Sequence, residues 1–253
     1  MLAHTIHGSN LKTKRVAFVH GFTQTRDSWA QIINKLPDNF HYITVDAPGH
    51  GESSQNAGDL EQTAVEIVDT VGSAVYCGYS MGARMCLHAA LANPTFVEGL
   101  VLISGTAGIE DDAERWKRRQ SDQQLAQHIL DLGVDKFIDE WLAQPMFKCL
   151  PFDDQDRALR KVNTATGLAN NLLTTGTGSQ LPLWDRLAEL RMPVLIIAGI
   201  NDTKFVTIAE RLQQFIESSH LEIVTGAGHA VHYERPLIVA QLIENWLNVH
   251  FAN

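Results

Sequence analysis

Cysteine is scarce in this 253-residue sequence: Cys77, Cys86 and Cys149 are the only three, and none forms a C-x-x-C pair. Three thiols cannot all pair, so a disulfide framework is excluded and a reducing, cytoplasmic setting is expected. Long apolar runs are missing too. None approaches the ~18–20 residues that cross a bilayer, so no membrane insertion is expected. Residues Met1 to Gly8 lack the charged-then-apolar build of a secretory signal. Positive charge is in short supply: 20 Lys and Arg against 29 Asp and Glu give a formal net charge of -9. Without a basic field, nucleic acid and anionic membranes are not expected partners. Internal repeats, low-complexity tracts and proline-rich linkers are absent as well.

What is present is an ordinary globular composition, 45% hydrophobic and 19% charged, in a chain long enough for one large α/β domain. Short β-rich runs at 15–20, 41–46, 74–77, 99–104, 193–199 and 221–224 alternate with helical patterns at 27–36, 60–71, 83–91, 207–217 and 236–249. That alternation predicts a mostly parallel sheet flanked by helices. The rhythm breaks between Glu110 and Leu187, where only helical patterns occur, at 114–132, 135–143 and 153–173. A helical block inserted there reads as a cap over the carboxyl edge of the sheet, where open α/β sheets bind ligands.

The chemistry gathers around Gly78-Tyr79-Ser80-Met81-Gly82, a G-x-S-x-G string between a β-rich and a helix-forming run. A serine there sits on a sharp strand-to-helix turn, with glycines leaving room for its exposed hydroxyl. Such a serine needs an imidazole to take its proton and a carboxylate to orient that imidazole. Asp202 and His229 follow in the required order, each after a predicted strand. Asp202 could equally make a loop-capping turn, and His229 could be a surface histidine; the ordered set of three favours a triad. Met81 supplies one oxyanion-hole amide, and Phe22, in His20-Gly21-Phe22, supplies the other. His20 and His50 read as structural residues of their turns. His232 stands three residues after His229, but no third ligand is nearby, so no metal is expected.

With these residues in place, the chain resembles the α/β-hydrolase superfamily along its length. Within it, the chain most resembles the 2-succinyl-6-hydroxy-2,4-cyclohexadiene-1-carboxylate synthases of menaquinone biosynthesis. The strings that carry the likeness are Gly78 to Arg84, Arg115 to Asp122, Trp141 to Phe147, Asp202 to Phe205, Ala227 to His232 and Gly176 to Trp184. The resemblance implies an α/β-hydrolase fold with a helical cap inserted after the sixth strand. Core residues 1–107 and 189–253 would flank a cap of 108–188. It implies a lyase with no cofactor, in which Ser80 acts as the base and pyruvate is eliminated from a polycarboxylate. The catalytic residues would be Ser80, Asp202 and His229, and the substrate-binding residues Arg84, Arg118, Tyr79 and Trp141.

Arg115 and Arg119 are alternatives to Arg118, Trp141 serves equally well as a core residue, and Arg84 could be a solvated helix charge. A second cap arginine of the family has no clear counterpart: Asn163 stands at the expected place, with Lys161 and Arg160 nearby. A carboxylesterase or C–C-bond hydrolase is the competing reading of the same triad, and a monomer or small homo-oligomer is expected.

Overall fold

The computed structural model describes residues 1–8, 14–151 and 153–251. In chain order it runs β1 (His4–His7), β2 (Arg15–Val19), α1 (Ala30–Ile33), β3 (His41–Val45), α2 (Leu60–Val71), β4 (Ala74–Tyr79), α3 (Met81–Ala92) and β5 (Val97–Ile103). Four helices follow: α4 (Asp112–Leu132), α5 (Val134–Leu142), α6 (Asp154–Lys161) and α7 (Ala165–Thr175). The alternation then resumes with β6 (Val194–Gly199), α8 (Thr203–Phe215), β7 (Ser219–Val224), α9 (Val231–Glu234) and α10 (Pro236–Phe251). The seven strands lie in the order β1-β3-β2-β4-β5-β6-β7, and only β1 is antiparallel to its neighbour.

The central strands read as unbroken apolar runs because helices cover both faces of the sheet. In Val16-Ala17-Phe18-Val19 the side chains alternate sides. Ala17 and Val19 join α2 and α3 residues such as Ile67 and Met85, while Val16 and Phe18 join Trp29, Ile32 and the α10 residues Ile243 and Leu247. A third apolar cluster, built from Ile129, Phe137, Ile138, Leu168 and Leu172, holds three of the inserted helices, α4, α5 and α7, together.

The structure departs from the sequence reading at defined points. The inserted helices follow the fifth strand, not the sixth, because a single antiparallel strand, β1, precedes the first parallel one among the described residues. That short edge strand was missing from the reading. The expected helix at 27–36 is a tight turn over Arg26–Trp29 running into the single turn of α1. The expected helix at 153–173 is broken in two. Asn163 leaves the helix to donate to the Thr23 carbonyl (2.7 Å) and accept from the Gly51 amide (2.8 Å). Thr164 then restarts the chain as α7 by accepting from the Gly167 amide (3.0 Å).

One contact sets the inserted helices on the sheet domain. Gly49, in the turn after β3 at φ 80°, and Gly167 on α7 lie backbone to backbone, and a Cβ on either would collide with the other's carbonyl oxygen. Beside it, Asn171 donates to the Pro48 carbonyl (2.9 Å). Helix propensity alone favours Gly167→Ala by about 1 kcal/mol. The contact reverses that sign: the variant is expected to lose about 1–3 kcal/mol, as overpacked sites do, seen as a lower urea midpoint at unchanged slope.

Candidate active site

The chain passes from β2 outward to β3 and returns to place β4 on the other side of β2. The loops leaving β2 and β4 therefore meet at a topological switch point, where this class of sheet opens a crevice. Ser80 stands there, between β4 and α3, with φ 50° and ψ -103°. A Cβ at Gly78 would strike the Gly82 carbonyl, and one at Gly82 would strike the Val19 carbonyl. Both glycines of the motif are thus demanded by close backbone approach, and the Ser80 amide is tied to the Ile103 carbonyl at 2.8 Å.

His229 Nε2 lies 3.1 Å from Ser80 Oγ, and its Nδ1 lies 2.7 Å from Asp202 Oδ2. The second carboxylate oxygen of Asp202 accepts from the Phe205 amide (3.4 Å), so the aspartate caps α8 as well as orienting the histidine. This explains why α8 begins at Thr203 and not at 207. Two residues the sequence reading missed hold the His229 backbone. Ser104 Oγ donates to the His229 carbonyl at 2.9 Å, and the Glu234 carboxylate accepts from the Gly228 amide (2.6 Å) and the Ala230 amide (3.1 Å). The only signal for Glu234 was its position five residues after a candidate catalytic histidine. The Phe205 ring packs edge-on to His229 at 4.5 Å.

The β2 loop is held with comparable completeness. His20 Nδ1 donates to the Gly21 carbonyl (2.8 Å), while its Nε2 accepts from the Ala47 amide (3.0 Å). A planar trans peptide points its N–H away from its C=O, so fixing the Gly21 carbonyl aims the Phe22 N–H the opposite way. Among the described residues neither the Phe22 nor the Met81 amide has a protein acceptor. Next along, Thr23 takes φ 69°, a strained value for a β-branched residue. Its amide donates to His50 Nε2 (3.2 Å), its carbonyl accepts from Asn163, and its hydroxyl accepts from Arg160 Nη1 (2.6 Å). His20 and His50 are neutral: burial above all pushes them down to about 4 and about 3.

Three arginines surround this centre. Arg160 is the inward-turned member of the three residues left open: it is 2% exposed and donates from Nε to Asp156 (2.7 Å). Asn163 is a backbone clamp, and Lys161 faces Asp139 at the surface (3.7 Å). Arg84 is no solvated helix charge. It is buried, and Nη1 donates to the Thr175 carbonyl at the end of α7 (2.7 Å) and to Gln180 Oε1 (3.2 Å). Burial first, then the nearby Arg118, push it down to about 10, so it stays charged at neutral pH. Arg118 donates from Nε to buried Asp122 (2.7 Å), which also accepts from the Gly178 amide (3.1 Å). Its outer face lines a cleft of about 450 Å³ shared with Thr106, Thr177, Lys204 and Phe205.

Trp141 roofs the loop, edge-on to Phe22 at 5.2 Å and beside Phe137 and Phe147. Its Nε1 has no partner among the described residues. Tyr79 differs from expectation. The last residue of β4 turns its ring into the core, against His232 (4.1 Å) and His229 (5.6 Å).

Residues 16–242 match the model of the alpha/beta hydrolase family, and the chain belongs to that family. More narrowly, it is similar to named members over nearly its whole length. A Bacillus subtilis (strain 168) protein provisionally named 2-succinyl-6-hydroxy-2,4-cyclohexadiene-1-carboxylate synthase is 35% identical over 93% of this chain and 90% of its own. The solved structure of MenH from S. aureus superposes with a TM-score of 0.91 at 31% identity, over 99% of both chains. A thermophilic esterase from Thermogutta terrifontis, 24% identical over 98% of this chain and 94% of its own, shares the fold with a TM-score of 0.82.

Ser80→Ala is expected to lower kcat by about a thousandfold or more with Tm unchanged, measured by steady-state kinetics beside a thermal melt. The histidine scaffold also makes stability pH-dependent. The unfolded chain protonates His20 and His50 near the ordinary 6.5, whereas the folded protein keeps both neutral down to about 4 and about 3. Stability is therefore full above 6.5 and falls as pH drops from there toward 4, by up to about 1.4 kcal/mol per pH unit for each ring. Urea midpoints measured from pH 7.5 to 4.5 report this, and a flat profile would show the rings to be charged inside.

Proposed function

We propose that this chain is a carbon–oxygen lyase of menaquinone biosynthesis. It would eliminate pyruvate from 2-succinyl-5-enolpyruvyl-6-hydroxy-3-cyclohexene-1-carboxylate to give 2-succinyl-6-hydroxy-2,4-cyclohexadiene-1-carboxylate. His229, oriented by Asp202, accepts the Ser80 proton, and Ser80 Oγ takes a proton from the substrate ring. The Phe22 and Met81 amides stabilise the charge that develops on the substrate oxygen. The C–O bond to the enolpyruvyl group then breaks with its electrons on oxygen, and the departing enol takes up a proton to become pyruvate. No water is consumed and Ser80 is never acylated.

The observation that carries this reading is the set of arginines near the proton relay: Arg160 buried against Thr23, Arg84 buried one helical turn beyond Ser80, and Arg118 on the cleft that Phe205 and Lys204 line. Buried guanidinium groups in a protein of net charge -9 suit a substrate that brings several carboxylates. Full-length similarity to proteins named as these synthases supports the same conclusion. A carboxylesterase would use the same relay with water as second substrate, but a neutral ester gives the arginines no anionic partner beyond the structural contacts they already make. Residues 108–188 act in this reading as the substrate-covering cap of a cytoplasmic enzyme.

Pyruvate release, followed by coupled NADH oxidation, is the deciding assay. Fast p-nitrophenyl ester turnover with no pyruvate would establish the esterase instead. Arg118→Ala removes a half-exposed cation, and the Asp122 carboxylate it leaves still accepts from the Gly178 amide. It is expected to lower kcat/KM for the polycarboxylate by about 10–100-fold, the worth of one charged hydrogen bond, while p-nitrophenyl acetate turnover changes less than about twofold.

A further inference from the structure

Beneath the Phe22 amide lies a pair of side chains that the proton relay does not use. Gln24 is fully buried. Its Oε1 accepts from the Gly21 amide at 3.0 Å, and its own backbone amide donates to the Gly21 carbonyl at 3.1 Å. With Oε1 committed to an N–H, the Gln24 amide nitrogen must be the group facing His232 Nε2, 3.3 Å away. An amide NH₂ only donates, so His232 Nε2 carries a lone pair and the ring proton sits on Nδ1. That Nδ1 has no partner among the described residues. The ring is 1% exposed and enclosed by Tyr79 (4.1 Å), Trp29 (4.9 Å) and Tyr233 (5.0 Å).

The titratable and charged groups around His232 come from several elements. Arg160 approaches from α6, paired with Asp156; Tyr79 comes from β4; His229 and Tyr233 belong to its own segment. Burial, followed by Arg160 and His229, holds the ring well below its ordinary pKa and so in the accepting form.

We propose that Gln24 and His232 are positioning residues of the oxyanion hole, in which the His232–Gln24 bridge fixes the Gly21–Phe22 peptide with its N–H turned toward the reacting oxygen. His20 grips the carbonyl of that peptide unit, and Gln24 grips the amide before it. Losing the Gln24 side chain leaves the Gly21 N–H buried and unpaired, and the unit is then held at its carbonyl end alone. The inference rests on Phe22 as an oxyanion donor. It does not rest on the lyase reading, because ester hydrolysis uses the same donor.

The test compares kcat and KM for pyruvate release and for p-nitrophenyl acetate between pH 6 and 9. Gln24→Met is expected to lower kcat about tenfold or more on both substrates at every pH, with KM within about twofold. Gln24→Glu is more diagnostic. Its carboxylate still accepts from Gly21, but it meets His232 productively only when Nε2 bears a proton. Its kcat relative to wild type therefore falls as pH rises. Adding His232→Gln supplies an amide that donates to the carboxylate at all pH values, which flattens that ratio and restores activity at high pH.

A Gln24→Met enzyme within about twofold of wild type, with a native circular dichroism spectrum, overturns the proposal. So does a flat Gln24→Glu ratio, which decides alone if Gln24→Met fails to fold, or a slope that survives in the double variant. If the wild type releases no pyruvate while ester turnover follows this pattern, the lyase reading falls and the positioning role stands.

Discussion

The left-handed backbone of Ser80 is the constraint from which the rest of the site descends. A non-glycine residue in that conformation costs about 1–3 kcal/mol and persists only where its surroundings over-determine it. Here the surroundings are backbone. The end of β2 presses on Gly82, Gly78 is pressed by the helix that follows, and the neighbouring strand β5 holds the serine amide. A flexible side chain at either glycine would have to be displaced, and nothing around it can move. The hydroxyl is presented by a part of the fold that has no second arrangement, which is what a proton-transfer step at hydrogen-bond distance requires.

Four histidines crowd this region and divide into two kinds. His229 is placed between a hydroxyl and a carboxylate. His20, His50 and His232 are kept neutral by burial; His20 and His50 are each used as a rigid two-ended connector, and His232 bonds through one nitrogen. His20 links the Gly21 carbonyl to the Ala47 amide, His50 links the Thr23 amide to the Pro48 carbonyl, and His232 accepts from Gln24. A neutral imidazole has one donor and one acceptor at fixed separation, so it suits a loop whose alternating N–H and C=O groups must be held in register. The charge beside them belongs to Arg160, which makes protonation of His20 and His232 still less favourable.

The sheet and the hydrogen-bonded set of Ser80, Asp202 and His229 were legible in the sequence because both are local signals. The elbow glycines, the apolar runs such as Val194 to Ala198, and the order of Ser80, Asp202 and His229 can be read without knowing any contact. What was not legible depends on residues far apart in the chain. The break between α6 and α7 arises because Asn163 bonds to Thr23, about 140 positions away, and no helical pattern encodes that. The same long reach decides that Arg160, not Lys161, is the cation that turns inward, beside Asn163 on Thr23. The sequence leaves open whether Arg84 is a solvated charge, because its grip on the end of α7 depends on Thr175, 91 positions away. Tyr79 was misplaced because the side of the sheet its ring enters is set by pleat and not by motif.

The backbone contact between Gly49 and Gly167 has a consequence for how this scaffold can vary. Contacts made by side chains change their spacing whenever a residue changes size, so a helix seated on them drifts as its sequence drifts. A helix seated on bare backbone does not. Its registration is set by two carbonyl groups, and the residues around that point are free to alter the lining of the cleft while the helix stays in place. Docking of the inserted helices and choice of ligand are thereby made separable, so one can be retuned without re-engineering the other.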